Sequence, residues 1–130
     1  MKQRITPEQL MDMTPEQEEK LMELWQPQKG DMVHSKKYGE LLIKEVVHED
    51  FYYVTLDEFI YDYTPKMLPL LSIGQMIELL EYKGLYCIKP IFEGDVFSEI
   101  EAWDVCVKDQ FWGKGKELAD ALWEAVKEVL

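Results

Sequence analysis

The chain has 130 residues, of which 47% are hydrophobic and 12% are aromatic, and its formal net charge is −12. Its length suits one domain with one core, and its composition excludes a disordered chain. The excess of acidic residues disfavours direct binding to nucleic acid, because a duplex binder normally presents a basic surface. No apolar run approaches the ~18 residues of a membrane span, and the N-terminus lacks the apolar segment of a signal peptide. We therefore predict a cytoplasmic protein that does not enter a membrane.

The N-terminal segment repeats the tetrapeptide TPEQ, at residues 6–9 and 14–17. In each copy the threonine suits the N-cap position, the proline the first helical position and the glutamine the third, which is the capping-box pattern. The pattern predicts a short helix over 7–12 and a longer one over 15–25, which Pro27 ends. Three apolar residues form a stripe along the second helix: Leu21, Leu24 and Trp25.

From residue 31 onwards the apolar residues alternate with polar ones, which predicts strands. We place these strands at 31–35, 40–48 and 51–57. One face of the ribbon carries apolar side chains from both longer strands: Leu41, Ile43, Val47, Tyr52, Val54 and Leu56. Glu45 falls on the same face and conflicts with that register. The following segment, 60–70, contains two prolines and no clear period, so a loop is predicted there.

The stretch LSIGQMIELLEYKG, residues 71–84, predicts one complete helix. Ser72 and Gln75 fit a capping box, and Gly84 suits the left-handed conformation that ends many helices. The apolar residues of this helix recur at helical spacing on one face: Ile73, Met76, Ile77 and Leu80. No polar residue remains on that face for chemistry, so the helix is interpreted as a packing element.

The C-terminal part predicts two further strands, at about 85–92 and 99–108, and a final amphipathic helix in KELADALWEAVKEVL. The intervening FWGKGKEL, residues 111–118, is interpreted as the connection from strand to helix.

Helices and strands of this kind predict an α+β fold, because the apolar stripes of the helices can cover one face of an antiparallel sheet. We expect about five strands in two ribbons, with the element order α-β-β-β-α-β-β-α. We expect a single domain over residues 1–130, with a helical N-terminal segment at 6–26 and a core over 31–130.

The sequence lacks the motifs of a catalytic or metal site. It has neither a GxSxG elbow nor a cysteine with a nearby histidine. His34 and His48 lie on different predicted strands without a close ligand pair. Cys87 and Cys106 lie in strand-like segments, where an intracellular location favours free thiols over a disulfide. We predict a protein that is not an enzyme and that has no metal and no cofactor.

Two segments are candidate binding sites. The first is the stretch HEDFYYVTLDEFIYDY, in which carboxylates surround tyrosines. Such a face suits docking on a basic protein surface, because tyrosines anchor interfaces and opposite charges attract. The candidate residues are Glu49, Asp50, Tyr53, Asp57, Glu58, Tyr61 and Asp62. The alternative is that half of the tyrosines are core residues and that the acids only solvate two turns.

The second candidate is a nucleotide site at the start of the final helix. Backbone N–H groups there can hold a phosphate, Lys114 and Lys116 can add positive charge, and Trp112 can stack on a base. The segment does not match the GxxxxGK[ST] frame of a phosphate-binding loop. An ordinary connection remains the alternative.

Two sets of motifs resemble known groups of proteins. Three segments of this chain resemble small acidic proteins encoded in phages and prophages of Gram-positive bacteria. These segments are LPLLSIGQMIELLE, ELADALWEAVKEVL and the TPEQ start followed by LWQPQKGD. The resemblance touches about half of the chain and implies a phage origin, without an assigned activity or functional residues. PQKGDMVHSKKYGELLIKEV also resembles the opening of small SH3-like barrels.

The charge and the absence of catalytic motifs predict a non-catalytic interaction protein. In this hypothesis a phage-encoded chain binds and modulates or inhibits a host protein, such as a defence or nucleic-acid-binding protein, through a basic surface of that partner. Two alternatives stay open. One is a small-molecule binder that sequesters a phosphorylated nucleotide, and the other is a virion assembly component.

Overall fold

A computed structural model describes residues 2–36, 38–48, 51–56, 59–63, 67–92, 100–108 and 111–130. Helices occur together with two antiparallel sheets, which confirms the α+β class. Contacts group the chain into two compact units. The N-terminal unit is Thr6–Leu71, and the C-terminal unit combines Met1–Ile5 with Ser72–Leu130. The single domain over residues 1–130 stays a prediction.

The N-terminal unit begins with two helices, α1 (Pro7–Leu10) and α2 (Pro15–Leu24), and both predicted capping boxes are confirmed. In the second box, Thr14 Oγ1 accepts a hydrogen bond from Gln17 N at 3.2 Å, and Gln17 Oε1 accepts one from Thr14 N at 2.9 Å. Leu21 and Trp25 are buried as expected, whereas the prediction for Leu24 is wrong because this residue is 38% exposed.

Five strands among the described residues form the sheet of the N-terminal unit. They are β1 (Met32–Ser35), β2 (Gly39–His48), β3 (Phe51–Leu56), β4 (Phe59–Tyr63) and β5 (Leu68–Pro69). Their order is β4-β3-β2-β1-β5, and every pair is antiparallel. The loop predicted over 60–70 is therefore wrong for residues 60–63 and 68–69, whereas residues 64–66 lie outside the described residues. This segment supplies most of β4 and all of β5. Strand pairing is stabilised by backbone hydrogen bonds to neighbouring strands, so a strand can form where the sequence shows no alternation of apolar and polar residues.

A bulge in β2 resolves the conflict at Glu45. The register shifts between Ile43 and Glu45, so that Ile43 pairs with Val54 while Glu45 pairs with Tyr53. The extra residue places Glu45 on the face opposite to Ile43, and the register shifts again between Val46 and His48. Leu41, Ile43 and Val54 are buried as predicted. Val47 is 58% exposed, so its predicted place on the buried face is wrong; it lies between Val46 and His48, where the register shifts a second time.

The C-terminal unit contains two helices and a second sheet. Its elements are α3 (Ile73–Tyr82), β6 (Leu85–Phe92), β7 (Ile100–Val107), β8 (Phe111–Gly115) and α4 (Leu118–Val129). The capping box of Ser72 and Gln75 is confirmed, and Gly84 has the expected positive φ of 93°. The strands are ordered β6-β7-β8. Residues 111–115, predicted as a connection, form β8, so that part of the interpretation is wrong.

Helix α4 packs closely on β8, where two glycines leave room for its backbone. A Cβ atom built on Gly115 would lie 2.7 Å from Ala121 N, and one built on Gly113 would lie 2.8 Å from Ala125 N. Both distances are too short for real Cβ contacts. Helix α4 can therefore approach β8 this closely only because positions 113 and 115 are glycines without side chains. Within the described ranges, no helix combines the length and the apolar composition that crossing a membrane requires.

Candidate functional site

The acidic and aromatic candidate residues fall partly within the described chain. Glu49, Asp50, Asp57 and Glu58 lie outside the described residues. Tyr53 belongs to β3, and Tyr61 and Asp62 belong to β4. The strand register therefore decides which of these three residues lie together.

Three residues form one row across the sheet, which we call the acidic row: Glu45, Tyr53 and Asp62. Tyr53 pairs with Glu45 on β2 and with Asp62 on β4. Residues directly opposite each other in an antiparallel sheet lie on the same face. The structure thus brings a carboxylate residue to each side of Tyr53, and Glu45 is exposed. Glu45 had been singled out in the sequence only as a misfit.

Tyr61 lies in a different row. It pairs with Val54, which in turn pairs with Ile43, and both aliphatic residues are 0% exposed. Successive residues of a strand alternate between faces. Position 61 is therefore in register with the buried Val54 and Ile43, whereas positions 53 and 62 fall in the alternate register of the sheet.

An apolar row runs beside the acidic row in that alternate register of the sheet. Leu42 pairs with Met32 and Thr55, and Thr55 pairs with Ile60. Leu42 is 45% exposed. The face thus joins apolar residues to carboxylates, and it resembles the composition of a protein interface more than that of a purely solvated sheet.

Charge is unevenly distributed around this face. Between Glu45 and Asp62 the sequence has six acidic residues and no lysine or arginine. The N-terminal unit as a whole contains 14 acidic and 6 basic residues. The field at the acidic row is therefore negative and attracts cationic groups.

The candidate nucleotide residues are arranged differently from the prediction. Trp112 and Lys114 lie two residues apart on β8, while Lys116 is exposed beyond the end of that strand. Lys114 is 71% exposed, and its Nζ lies 3.9 Å from Asp104 Oδ1. Lys114 therefore lies within ion-pair distance of the Asp104 carboxylate.

The start of α4 is itself acidic. Glu117 is the N-cap residue and Asp120 lies in the first turn. Glu117 Oε2 accepts a hydrogen bond from Lys2 N at 3.3 Å, and Asp120 forms an ion pair with Lys2. Negative charge from Glu117 and Asp120 at this helix start would repel a phosphate, which is itself an anion. The geometry here weighs against phosphate binding at this helix start.

Two cysteines in the second sheet are placed where they could undergo thiol chemistry, which the sequence analysis missed. Cys87 on β6 pairs directly with Cys106 on β7, and Lys89 pairs with Asp104 in the next row. The signal was available, because pairing the outer ends of the predicted strands 85–92 and 99–108, residue 85 with residue 108, places residue 87 opposite residue 106. Burial raises the pKa of the Cys106 thiol, as do its hydrogen bond with Cys87 and the nearby Asp104, while Lys89 opposes the shift.

Metal ligands do not converge in the described part of the chain, where no group of three or more His, Cys, Asp or Glu residues could hold an ion. Comparisons with protein-family models, with curated proteins and with solved structures found no match to this chain.

Proposed function

We propose that this chain is a non-catalytic interaction protein that binds a host protein through a basic surface of that partner. The observation that supports the proposal is the acidic row beside the apolar row on one face of the N-terminal sheet. Apolar contact supplies affinity at such a face, and charge complementarity supplies specificity and a fast association rate. In keeping with the resemblance of its motifs, we propose that the protein is phage-encoded and acts in the host cytoplasm.

A nucleic-acid-binding or defence protein is the class of partner that fits this charge. Such proteins present basic grooves that neutralise phosphates. A negatively charged sheet face can occupy the same groove and displace the nucleic acid, which inhibits the partner. Direct binding of this chain to nucleic acid is disfavoured by its net charge of −12.

Tyr53 is the proposed anchor of the interface. Its position between Glu45 and Asp62 places an aromatic residue at the centre of a charged row. Tyrosine is enriched among the residues that contribute most to binding energy, because it offers a large apolar area with a polar end.

The experiment that tests this proposal is capture of partners from a lysate of Gram-positive bacteria on the immobilised full chain. The capture is run at about 0.1 M and at about 1 M salt, where the Debye length is about 10 Å and about 3 Å respectively. We expect a protein with a basic surface to be retained at low salt and released at high salt. Retention of no basic protein, or a partner whose retention does not change with salt, would contradict the electrostatic proposal.

A further inference from the structure

The chain contains two cysteines, and the structure places them opposite each other on adjacent antiparallel strands. The interaction with Cys87 contributes, after burial, to the raised pKa of Cys106. Both lie on the face of the second sheet that is opposite to Val105 and Gly113, the face on which α4 packs. The two cysteines therefore lie side by side on the sheet face that does not carry α4.

The register alone brings these residues within reach of a covalent bond. Directly opposed residues of an antiparallel pair have Cα atoms about 4.5–5.5 Å apart. This range falls within the Cα separation of about 4.4–6.8 Å found in disulfides. The strands do not have to shift their pairing for a Cys87–Cys106 bond to form.

The two thiols differ in access to solvent, which assigns them different roles. Cys87 is partly exposed, whereas Cys106 is buried, with 3% exposure. Burial also raises the pKa of Cys106 and keeps it protonated near neutral pH. A reagent in solution therefore meets Cys87 first, and Cys106 acts only on a bond that Cys87 has already formed.

We propose that Cys87 and Cys106 form a reversible dithiol–disulfide site whose reaction partner is a low-molecular-weight disulfide. In the first step, the Cys87 thiolate attacks one sulfur of the reagent RSSR. A Cys87–SR bond forms, the S–S bond of the reagent breaks, and the departing thiolate takes up a proton. In the second step, Cys106 loses its proton and attacks Cys87 Sγ, which releases the second RSH.

The two steps balance as an exchange of two electrons. The protein loses two thiol hydrogens and gains one disulfide, and the reagent disulfide is reduced to two thiols. Excess of a small thiol or of dithiothreitol runs the same sequence in reverse. The bond would join β6 to β7 and close the chain around the segment between them, which constrains the unfolded state and stabilises the C-terminal unit.

The test uses the full-length chain with oxidised glutathione as the probe. After incubation, the protein is denatured, treated with iodoacetamide and weighed by mass spectrometry. We expect a monomer with no alkylated cysteine and with a mass lower by two hydrogens, and we expect dithiothreitol to restore both thiols. Because the chain has two cysteines, such a monomer can only contain the Cys87–Cys106 bond.

Two cysteine variants and a measurement of the ring-closure rate test the proposed roles of the two thiols separately. Cys106→Ser should accumulate one glutathione on Cys87, while Cys87→Ser should stay unmodified until it is unfolded in urea. In the wild-type chain, ring closure should be at least about tenfold faster in the native protein than in urea, because the sheet holds the two sulfurs together. Equal rates, a stable glutathione adduct on the wild-type chain, disulfide-linked dimers, or two thiols that remain alkylatable would overturn the proposal.

Discussion

Replacing Gly113 by alanine is expected to lower the free energy of unfolding by about 3 kcal/mol, since overpacking a core typically costs about 1–3 kcal/mol and occasionally more. The new Cβ would overlap the carbonyl oxygen of Ala121 and would lie 2.8 Å from Ala125 N. These are backbone atoms of α4 and cannot turn aside as a side chain could. The helix would have to move away from β8 and expose Leu122 and Val126, which are 0% exposed. Urea unfolding, followed by circular dichroism, measures the effect.

Gly74→Ala is the matched control for this substitution. A Cβ atom on Gly74 would lie 3.9 Å from Ser72 Oγ, which is an ordinary contact, and the residue is inside helix α3. Alanine in a helix is more favourable than glycine by up to about 1 kcal/mol. The control should therefore unfold at an equal or higher urea concentration. If the Gly113 variant were as stable as the control, the close packing of α4 on β8 would be wrong.

Replacing Trp123 by alanine is expected to cost about 3–5 kcal/mol, the usual range for removing a buried aromatic residue. Trp123 is 0% exposed on α4, and within the described chain its indole Nε1 is buried without a hydrogen-bond partner. Leaving such a donor unpaired costs about 1–3 kcal/mol. Trp123→Phe removes the unpaired donor and leaves a smaller cavity than alanine would, so we expect it to cost less than Trp123→Ala.

Trp25→Phe is the comparison that isolates the role of the indole nitrogen. Trp25 Nε1 donates a hydrogen bond of 3.2 Å to Oδ2 of Asp31, a buried carboxylate. Removing a hydrogen bond to a charged group costs about 1.5–3 kcal/mol. Trp25→Phe should therefore be more destabilising than Trp123→Phe in urea unfolding. The reverse order would mean that Trp123 Nε1 is hydrogen-bonded in the folded protein.

The helix starts were predictable from sequence because their signals are local. Thr6, Thr14 and Ser72 each have a glutamine three residues later, and all three capping boxes form. A capping box needs only one turn of chain, so its residues determine it without help from the rest of the fold. The ends of the helices were less certain, and α1 ends at Leu10 instead of near residue 12.

The strand registers were only partly predictable, because they depend on residues distant in the sequence. The misfit at Glu45 indicated an irregularity, but nothing local showed that β2 has a bulge there. The strand β4 was missed because it is defined by its pairing with β3, and the sequence of β4 alone shows no clear alternation of apolar and polar residues. The acidic row followed from these two features together, so sequence alone predicted Tyr53 and Asp62 as candidates but not their neighbour Glu45.

The proposed function is tested most directly by a comparison of two charge-reversal variants of the full chain. In the row variant, Glu45→Lys is combined with Asp62→Lys, which reverses both carboxylates beside Tyr53. In the control variant, Glu78→Lys is combined with Glu81→Lys on α3, where both residues are exposed. The two variants have the same net charge, so they differ only in where the charge is reversed.

The measurement is the Kd for the purified partner obtained by capture, at about 0.1 M salt. The row variant is predicted to bind at least about tenfold more weakly than the wild type, because lysines at the acidic row would repel a basic surface. The control variant should lose less than about threefold, since its charges lie outside the contact and act only through the screened net field. Equal losses in the two variants, or no loss in the row variant, would contradict binding through the acidic row.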